Sequence, residues 1–316
     1  MTRPHAFLFV LVALMGLGAC APVPDPDQPL RLTWTPVDSL QARLPDGITI
    51  YNGHSLQPPV RAWYARIDEA DPDIETRVVV SDEPDGREST SRFARDLGAC
   101  VVVNGGFFIM EANPTRHVGL LQIDGAVLAG ATPSVRRDTL RYETARGAIG
   151  FTEDGQVDIT WATTRRDTVY SWGAPPTHTP GTPSAPLDYA EATPWPVRDA
   201  LSGGPVLLRD GRLHVTADAE VFFGTSIPDI HPRTAAGTTA DGALILMVVD
   251  GRQPASRGVS LDELAQLMRA AGAVEAVNLD GGGSSTLVVD GLLINRPTGG
   301  TVEREVMSAL ATTCVR

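Results

Sequence analysis

The segment from Gly242 to Gly283 leaves its backbone few choices. "GALILMVVDGR" is an apolar run that ends at Asp250, "SLDELAQLMRAAGA" follows, and "AVEAVNLDGGG" closes at Asp280 and three glycines. In the middle stretch Leu261, Leu264, Leu267 and Met268 recur at helical spacing, Ser260 and Glu263 form a capping box, and Gly272 supplies a stop. An apolar strand, a helix and a second apolar strand over this length predict a βαβ unit, with parallel strands and a right-handed crossover. Asp250 and Asp280 then leave the same edge of the sheet, the edge at which open α/β sheets bind ligands.

A third element has the same grammar. "RDLGACVVVNGGFF" delivers Asn104, Gly105 and Gly106 at the end of an apolar run, much as the later strand delivers Asn278 and then Gly281, Gly282 and Gly283. Three strand ends are therefore expected at one cleft. Glycines in such loops either present backbone N–H groups to an anion or let a sugar ring or a neighbouring chain approach closely. Ser284, Ser285 and Thr286 add hydroxyls able to donate to phosphate oxygens. "IHPRTAAG" places His231, Arg233 and Thr234 before the Asp250 strand, "VVDGR" adds Arg252, and "INRPTGG" adds Asn295 and Arg296 after the last glycine loop. His231 has the pKa range of a general acid or base. The alternative role for either aspartate is a loop cap that accepts backbone N–H bonds.

Elsewhere the chain is rich in short β-patterned runs, among them "GITIYNG", "RAWYARI" and "TRVVVS". "TEDGQVDITWA" and "GPVLLRDGRLHVT" read as hairpins, the second turning at Asp210-Gly211. "STSRFARDLGA" reads as a helix with Phe93, Ala94 and Leu97 on one face and a stop at Gly98. Residues 170–196 are proline-laden and aperiodic, a long surface loop that is either a tolerated insertion or a flap over a cleft. The expected fold class is α+β (mixed α/β): a β-rich mixed sheet with a βαβ unit near the C-terminus and few flanking helices, in one domain over residues 32–316.

The formal net charge of -12 excludes a basic face for nucleic acid, so no nucleic-acid partner is expected. The chain contains no lysine, which excludes a Walker A loop and Schiff-base chemistry and leaves arginine to hold a phosphate. His54, His117, His178 and His214 lack metal-ligand spacing, and nothing in the sequence asks for a metal or a cofactor. Residues 1–19 have a positive Arg3 and an apolar run and read as a signal peptide, and "LGAC" resembles the bacterial lipoprotein signal, making Cys20 the lipidation site. Residues 20–31 then form a Pro/Asp tether to a membrane, with an outer-membrane, periplasm-facing destination expected. Export places Cys100 and Cys314 in an oxidising compartment, where they pair if their strands are neighbours and otherwise remain buried thiols.

"VNGGFF", "SGGPVLLRDG", "HPRTAAG", "VVDGR", "LDELAQLMRAAGAVEAVNLDGGGSSTLVV" and "INRPTGG" together resemble the phosphodiester glycosidase family in order and spacing, over roughly Arg61 to Val315. The resemblance implies hydrolysis of a sugar-1-phosphodiester at the anomeric carbon, with a phosphate-linked glycan or glycolipid as the envelope substrate. On that basis Asp280 is the expected nucleophile or base and Asp250 its partner, with His231 assisting proton transfer. Arg233, Arg252 and the "GGGSST" loop are expected on the phosphate, and Asn104 and Asn278 on sugar hydroxyls. The alternatives are a non-catalytic glycan-binding lipoprotein and an enzyme that cleaves at phosphorus.

Overall fold

The computed structural model of the protein describes residues 30–300 and 302–315; the signal, Cys20 and most of the tether lie outside the described residues. Three large sheets, of eight, seven and five strands, enclose one apolar core, and every strand pair in them is antiparallel. The β-rich α+β class therefore holds, with a correction to the pairing. Leu244–Val249 and Ala273–Asn278 do run in the same direction, but Arg233–Thr239 lies between them and pairs antiparallel with both. The βαβ unit is thus split. The intervening strand escapes a hydrophobicity reading because "RTAAGTT" is small rather than apolar. That smallness is required by the packing, since a Cβ on Gly237 would lie 2.5 Å from the Glu275 carbonyl oxygen.

The eight-stranded sheet is covered on both faces, which explains why its central strand reads as a continuous apolar run. Leu244, Leu246 and Val248 face the core shared with the other two sheets, against Ile149, Trp161 and Leu310. Ile245, Met247 and Val249 face the helix Leu261–Ala270, whose Leu264, Leu267 and Met268 are fully buried. That helix carries the expected capping box: the Ser260 hydroxyl accepts from Glu263 N and the Glu263 carboxylate accepts from Ser260 N. The helix Thr90–Leu97 covers the outer face of the five-stranded sheet through Phe93 and Ala94 and ends at a left-handed Gly98. Leu97, expected on its apolar face, is 45% exposed.

Both hairpins form, the second with Asp210 and Gly211 at positive φ. The 170–196 segment is less irregular than expected at its ends, where Thr168–Trp172 and Ala192–Pro194 pair in the seven-stranded sheet. Its middle folds back on that sheet and on the two-stranded hairpin Ser134–Arg137 and Leu140–Glu143, with Trp172 Nε1 donating to Asp188 O at 3.1 Å and Leu187 N to Glu143 Oε2 at 3.0 Å.

The five-stranded sheet is closed by Ser308–Cys314, inserted between Ile74–Val80 and Val101–Asn104. This register makes the ends of the strands neighbours, and Cys100 and Cys314 are joined in a disulfide with a Cα–Cα distance of 6.0 Å. The bridge spans 214 residues, and a loop of that length restricts the unfolded chain strongly. Replacing both cysteines by serine is expected to lower the unfolding free energy by roughly 3–5 kcal/mol, measured by urea titration under non-reducing conditions.

Candidate active site

The split arrangement brings three chain ends to one edge. The strand Arg233–Thr239 begins where the other two finish, with Arg233 opposite Val249 and Ala235 opposite Asn278. Asp280 lies just past this edge. It is held from the five-stranded sheet as well: Asp280 N donates to Gly105 O at 3.1 Å, and Asn104 Nδ2 donates to Asp280 O at 2.7 Å. The Asn104 Oδ1 accepts from Thr234 Oγ1 at 2.6 Å and from Thr286 N at 3.1 Å. Asn104 is fully buried, and its amide is committed to joining the two sheets.

Asp280 opens into a cleft of ≈ 250 Å³ lined by Phe107, Asn278, Arg233, Arg252, His231 and Arg304 among others. The carboxyl is half-buried. Burial pushes its pKa up to about 6, opposed by the Ser284 hydrogen bond, the Arg304 charge and the Gly281 N–H. The arginines surround it on several sides. Arg233 braces the loop in front of it, with Nε donating to Val259 O at 3.1 Å and Nη2 to Ile227 O at 2.8 Å and to Asp229 O. Burial lowers the Arg233 pKa to about 10, which leaves it cationic at neutral pH. Arg252 and Arg304 enclose the glycine loop. A Cβ on Gly282 would lie 3.4 Å from the Arg252 guanidinium, and one on Gly283 would lie 2.6 Å from Arg304 Nη2. Gly282 also has φ of +64°, a conformation that glycine adopts without a steric cost.

His231 is neutral in this arrangement. Its Nδ1 accepts from Arg252 Nη2 at 3.0 Å, and its Nε2 donates to Ser226 O at 2.7 Å. Burial lowers its pKa, and the nearby arginines act in the same direction. The imidazole therefore positions Arg252. Asn278 donates twice from Nδ2, to Gly204 O and Leu279 O, each at 2.8 Å. Among the described residues its Oδ1 has no hydrogen-bond partner, a buried acceptor in the cleft wall.

The decisive comparison concerns the whole block that builds this edge: the phosphodiester glycosidase family pattern matches residues 97–313. The chain belongs to the phosphodiester glycosidase family. It is 29% identical over 221 residues to the N-acetylglucosamine-1-phosphodiester alpha-N-acetylglucosaminidase of Bos taurus, covering 67% of this chain and 35% of that protein. The protein of the same name from Mus musculus is 35% identical over 112 residues, covering 33% of this chain and 22% of its own length. The chain thus spans only about a third or less of the length of those curated relatives. Its fold matches the zebrafish N-acetylglucosamine-1-phosphodiester alpha-N-acetylglucosaminidase catalytic domain with a TM-score of 0.60 at 20% identity, covering 92% of this chain and 85% of that one. A hypothetical protein from Synechocystis matches with a TM-score of 0.64 at 18% identity, covering 85% of this chain and 62% of the other.

Several residues expected in the cleft stand behind it. Asp250 is 2% exposed, and its Oδ1 accepts from Asn295 Nδ2 at 2.9 Å and Arg296 N at 3.1 Å. Burial raises its pKa to about 6. Asn295 in turn holds the glycine loop, with Oδ1 accepting from Leu287 N at 2.7 Å and Nδ2 donating to Ser285 O at 2.8 Å. Asp250, Asn295 and the Arg296 backbone are therefore a bracket beneath the loop, the capping role that sequence left open for the acid. Thr234 and Ser285 are fully buried, and Ser284 turns its hydroxyl to Asp280. Gly105 and Gly106 serve chain packing, since a Cβ on either would meet Ser308 or the Ser202 carbonyl oxygen within 2.4 Å. No residue of the 170–196 loop lines the cleft. Arg304 and Phe107 had gone unnoticed. Arg304 sits in the aperiodic "VERE", and only the need for a glycine at position 283 points to it.

Replacing Asn104 by aspartate keeps its shape but turns the donor toward Asp280 O into an acceptor. Asn104→Asp is expected to cost roughly 2–4 kcal/mol of stability and to slow turnover, measured by chemical unfolding alongside initial rates.

Proposed function

We propose that this protein hydrolyses the glycosidic bond of a sugar-1-phosphodiester, releasing the sugar and a phosphomonoester. The observation that carries the reading is the cleft's charge pattern: one half-buried carboxylate, Asp280, faces Arg233, Arg252 and Arg304 in a protein whose net charge is -12. A glycosyl transition state gathers positive charge at the anomeric carbon, and a carboxylate stabilises or traps it. The departing phosphate gathers negative charge, and guanidinium groups answer it. A phosphomonoester leaves as a stable anion, so the reaction needs little help from a general acid. This accords with a His231 whose two nitrogens are both engaged.

The division of labour follows from placement. Asp280 acts at the anomeric carbon as nucleophile or base. Arg252 and Arg304, on either side of Gly282 and Gly283, hold the phosphate, while Arg233 adds charge from below and fixes the loop carrying Ser226 and Ile227. Asn278 Oδ1 accepts a sugar hydroxyl. Asp250 positions the glycine loop through Asn295. The substrate class is a phosphate-linked glycan or glycolipid. Residues 1–31, with Arg3, the apolar run and "LGAC", favour an exported envelope protein anchored through lipid on Cys20.

Asp280→Asn is expected to reduce turnover of N-acetylglucosamine-1-phosphodiester by at least about a hundredfold; near-normal activity removes Asp280 from the chemistry. Hydrolysis in heavy-oxygen water should place the label in the sugar. Label in the phosphate instead means cleavage at phosphorus, and no turnover favours a glycan binder.

The pH profile has a defined sign. Asp280 must be ionised to act, and its pKa is raised to about 6. The value of kcat/KM should therefore fall as pH drops through about 6 and level off above it. An acid limb near the ordinary carboxylate range, about 4, contradicts the assignment.

A further inference from the structure

A second concavity lies on the other side of one turn from the cleft. The chain leaves the Asp250 strand and makes a tight turn in which Gln253 and Ser256 exchange backbone hydrogen bonds of 3.1 and 3.0 Å. Arg252, at the base of this turn, lines the catalytic cleft. Pro254 and Ala255, at its tip, line a hollow of ≈ 660 Å³ whose far wall is the hairpin Ile48–Leu56 and Pro59–Ile67. The turn is fixed to that hairpin, since Arg257 N donates to Pro59 O at 2.9 Å and Arg61 N to Ser256 Oγ at 3.0 Å. The Cα atoms of Arg252 and Ala255 are at most about 11 Å apart along the chain.

The hairpin register decides what faces this hollow. Asn52 pairs with Trp63 and His54 with Arg61, and alternation puts all four side chains on one face. Asn52, His54 and Arg61 are exposed and Trp63 is half-buried. Among the described residues none of these side chains makes a hydrogen bond or an ion pair. Trp161, Trp172 and Trp195 all donate from Nε1, and Trp34, whose Nε1 is buried without a partner among the described residues, packs edge-on against Tyr64; Trp63 differs from them in lining the hollow. An indole face flanked by an amide, an imidazole and a guanidinium, none of them hydrogen-bonded among the described residues, suits a pyranose ring. The apolar C–H face of the sugar stacks on the indole while its hydroxyls meet the polar groups. Arg61 adds a contact for an anionic substituent.

We propose that this hollow is a second saccharide subsite, which binds the sugar on the far side of the phosphate when the substrate is a phosphate-linked glycan. This rests on the hydrolase reading for the identity of the ligand, though the subsite itself rests on Trp63, Arg61, His54 and Asn52. It makes the enzyme selective for chain-like substrates over diesters with a small aglycone.

Two probes test it: the methyl phosphodiester of N-acetylglucosamine-1-phosphate, which ends at the cleft, and a compound in which the same phosphate joins N-acetylglucosamine to a second hexose. Ala255→Trp fills the hollow and is expected to raise KM for the two-sugar compound at least about tenfold, while kcat/KM for the methyl diester stays within about twofold. His54→Ala should shift the two-sugar KM in the same direction. Trp63→Ala should do so too, and because Trp63 also touches the core, the two surface variants decide the matter if it fails to fold. Equal losses on both probes, or no change on the two-sugar compound, overturn the subsite. If the wild-type protein cleaves neither probe, the hydrolase reading fails and calorimetric titration still decides the subsite. Tighter binding of the two-sugar compound than of the methyl diester, abolished by Ala255→Trp, supports it, and equal binding overturns it.

Discussion

The amide of Asn104 is the constraint on which the cleft depends. Asp280 follows the strand Ala273–Asn278 of the eight-stranded sheet, while Asn104 ends a strand of the five-stranded one. Where two sheets meet at their ends, backbone groups lose their ladder partners, and burial without replacement is costly. One primary amide answers several of these groups at once, donating to Asp280 O and accepting from Thr234 Oγ1 and Thr286 N. Its planarity fixes the angle between the sheets, and with it the direction in which the Asp280 side chain leaves the chain.

A comparable device holds the third sheet. Glu220 is fully buried and accepts from Gly147 N and Val206 N, each at 2.7 Å, and from Trp161 Nε1 and Thr216 Oγ1 at 3.1 and 2.6 Å. Gly147 and Trp161 belong to the seven-stranded sheet and Val206 to the eight-stranded one. The core between the sheets is apolar and non-directional, so it sets their distance apart. The buried amide and carboxylate supply the direction, and a network satisfied to this degree is rigid.

What was legible in the sequence follows a physical division. The capped helix and both hairpins are local, set by periodicity and turn residues, while Asp280, Arg233, Arg252 and Asn278 were legible as residues at strand ends and meet through the pairing of those strands. The strand "RTAAGTT" was invisible as a partner because its small residues are selected by close packing, which hydrophobic patterning does not record. Asp250 looked like the equal of Asp280, since each ends an apolar run. What separates them is which neighbours are nearby: Asn295 and the Arg296 backbone claim Asp250, while Asp280, beside Ser284 and Arg304, lines the cleft. Asn295 lies 45 residues beyond Asp250 and Arg304 lies 24 beyond Asp280, and no spacing rule connects them. Several glycines turned out to serve chain packing, and only Gly282 and Gly283 lie against the guanidinium groups.

The placement of Ser308–Cys314 bears on how the molecule is made. This strand is central in its sheet, yet both its partners precede it by more than 200 residues. During vectorial synthesis those earlier strands wait with unsatisfied edges until the late one arrives, and contacts of such long range slow the closing of the sheet. A chain built this way completes its core only once the last strand is in place.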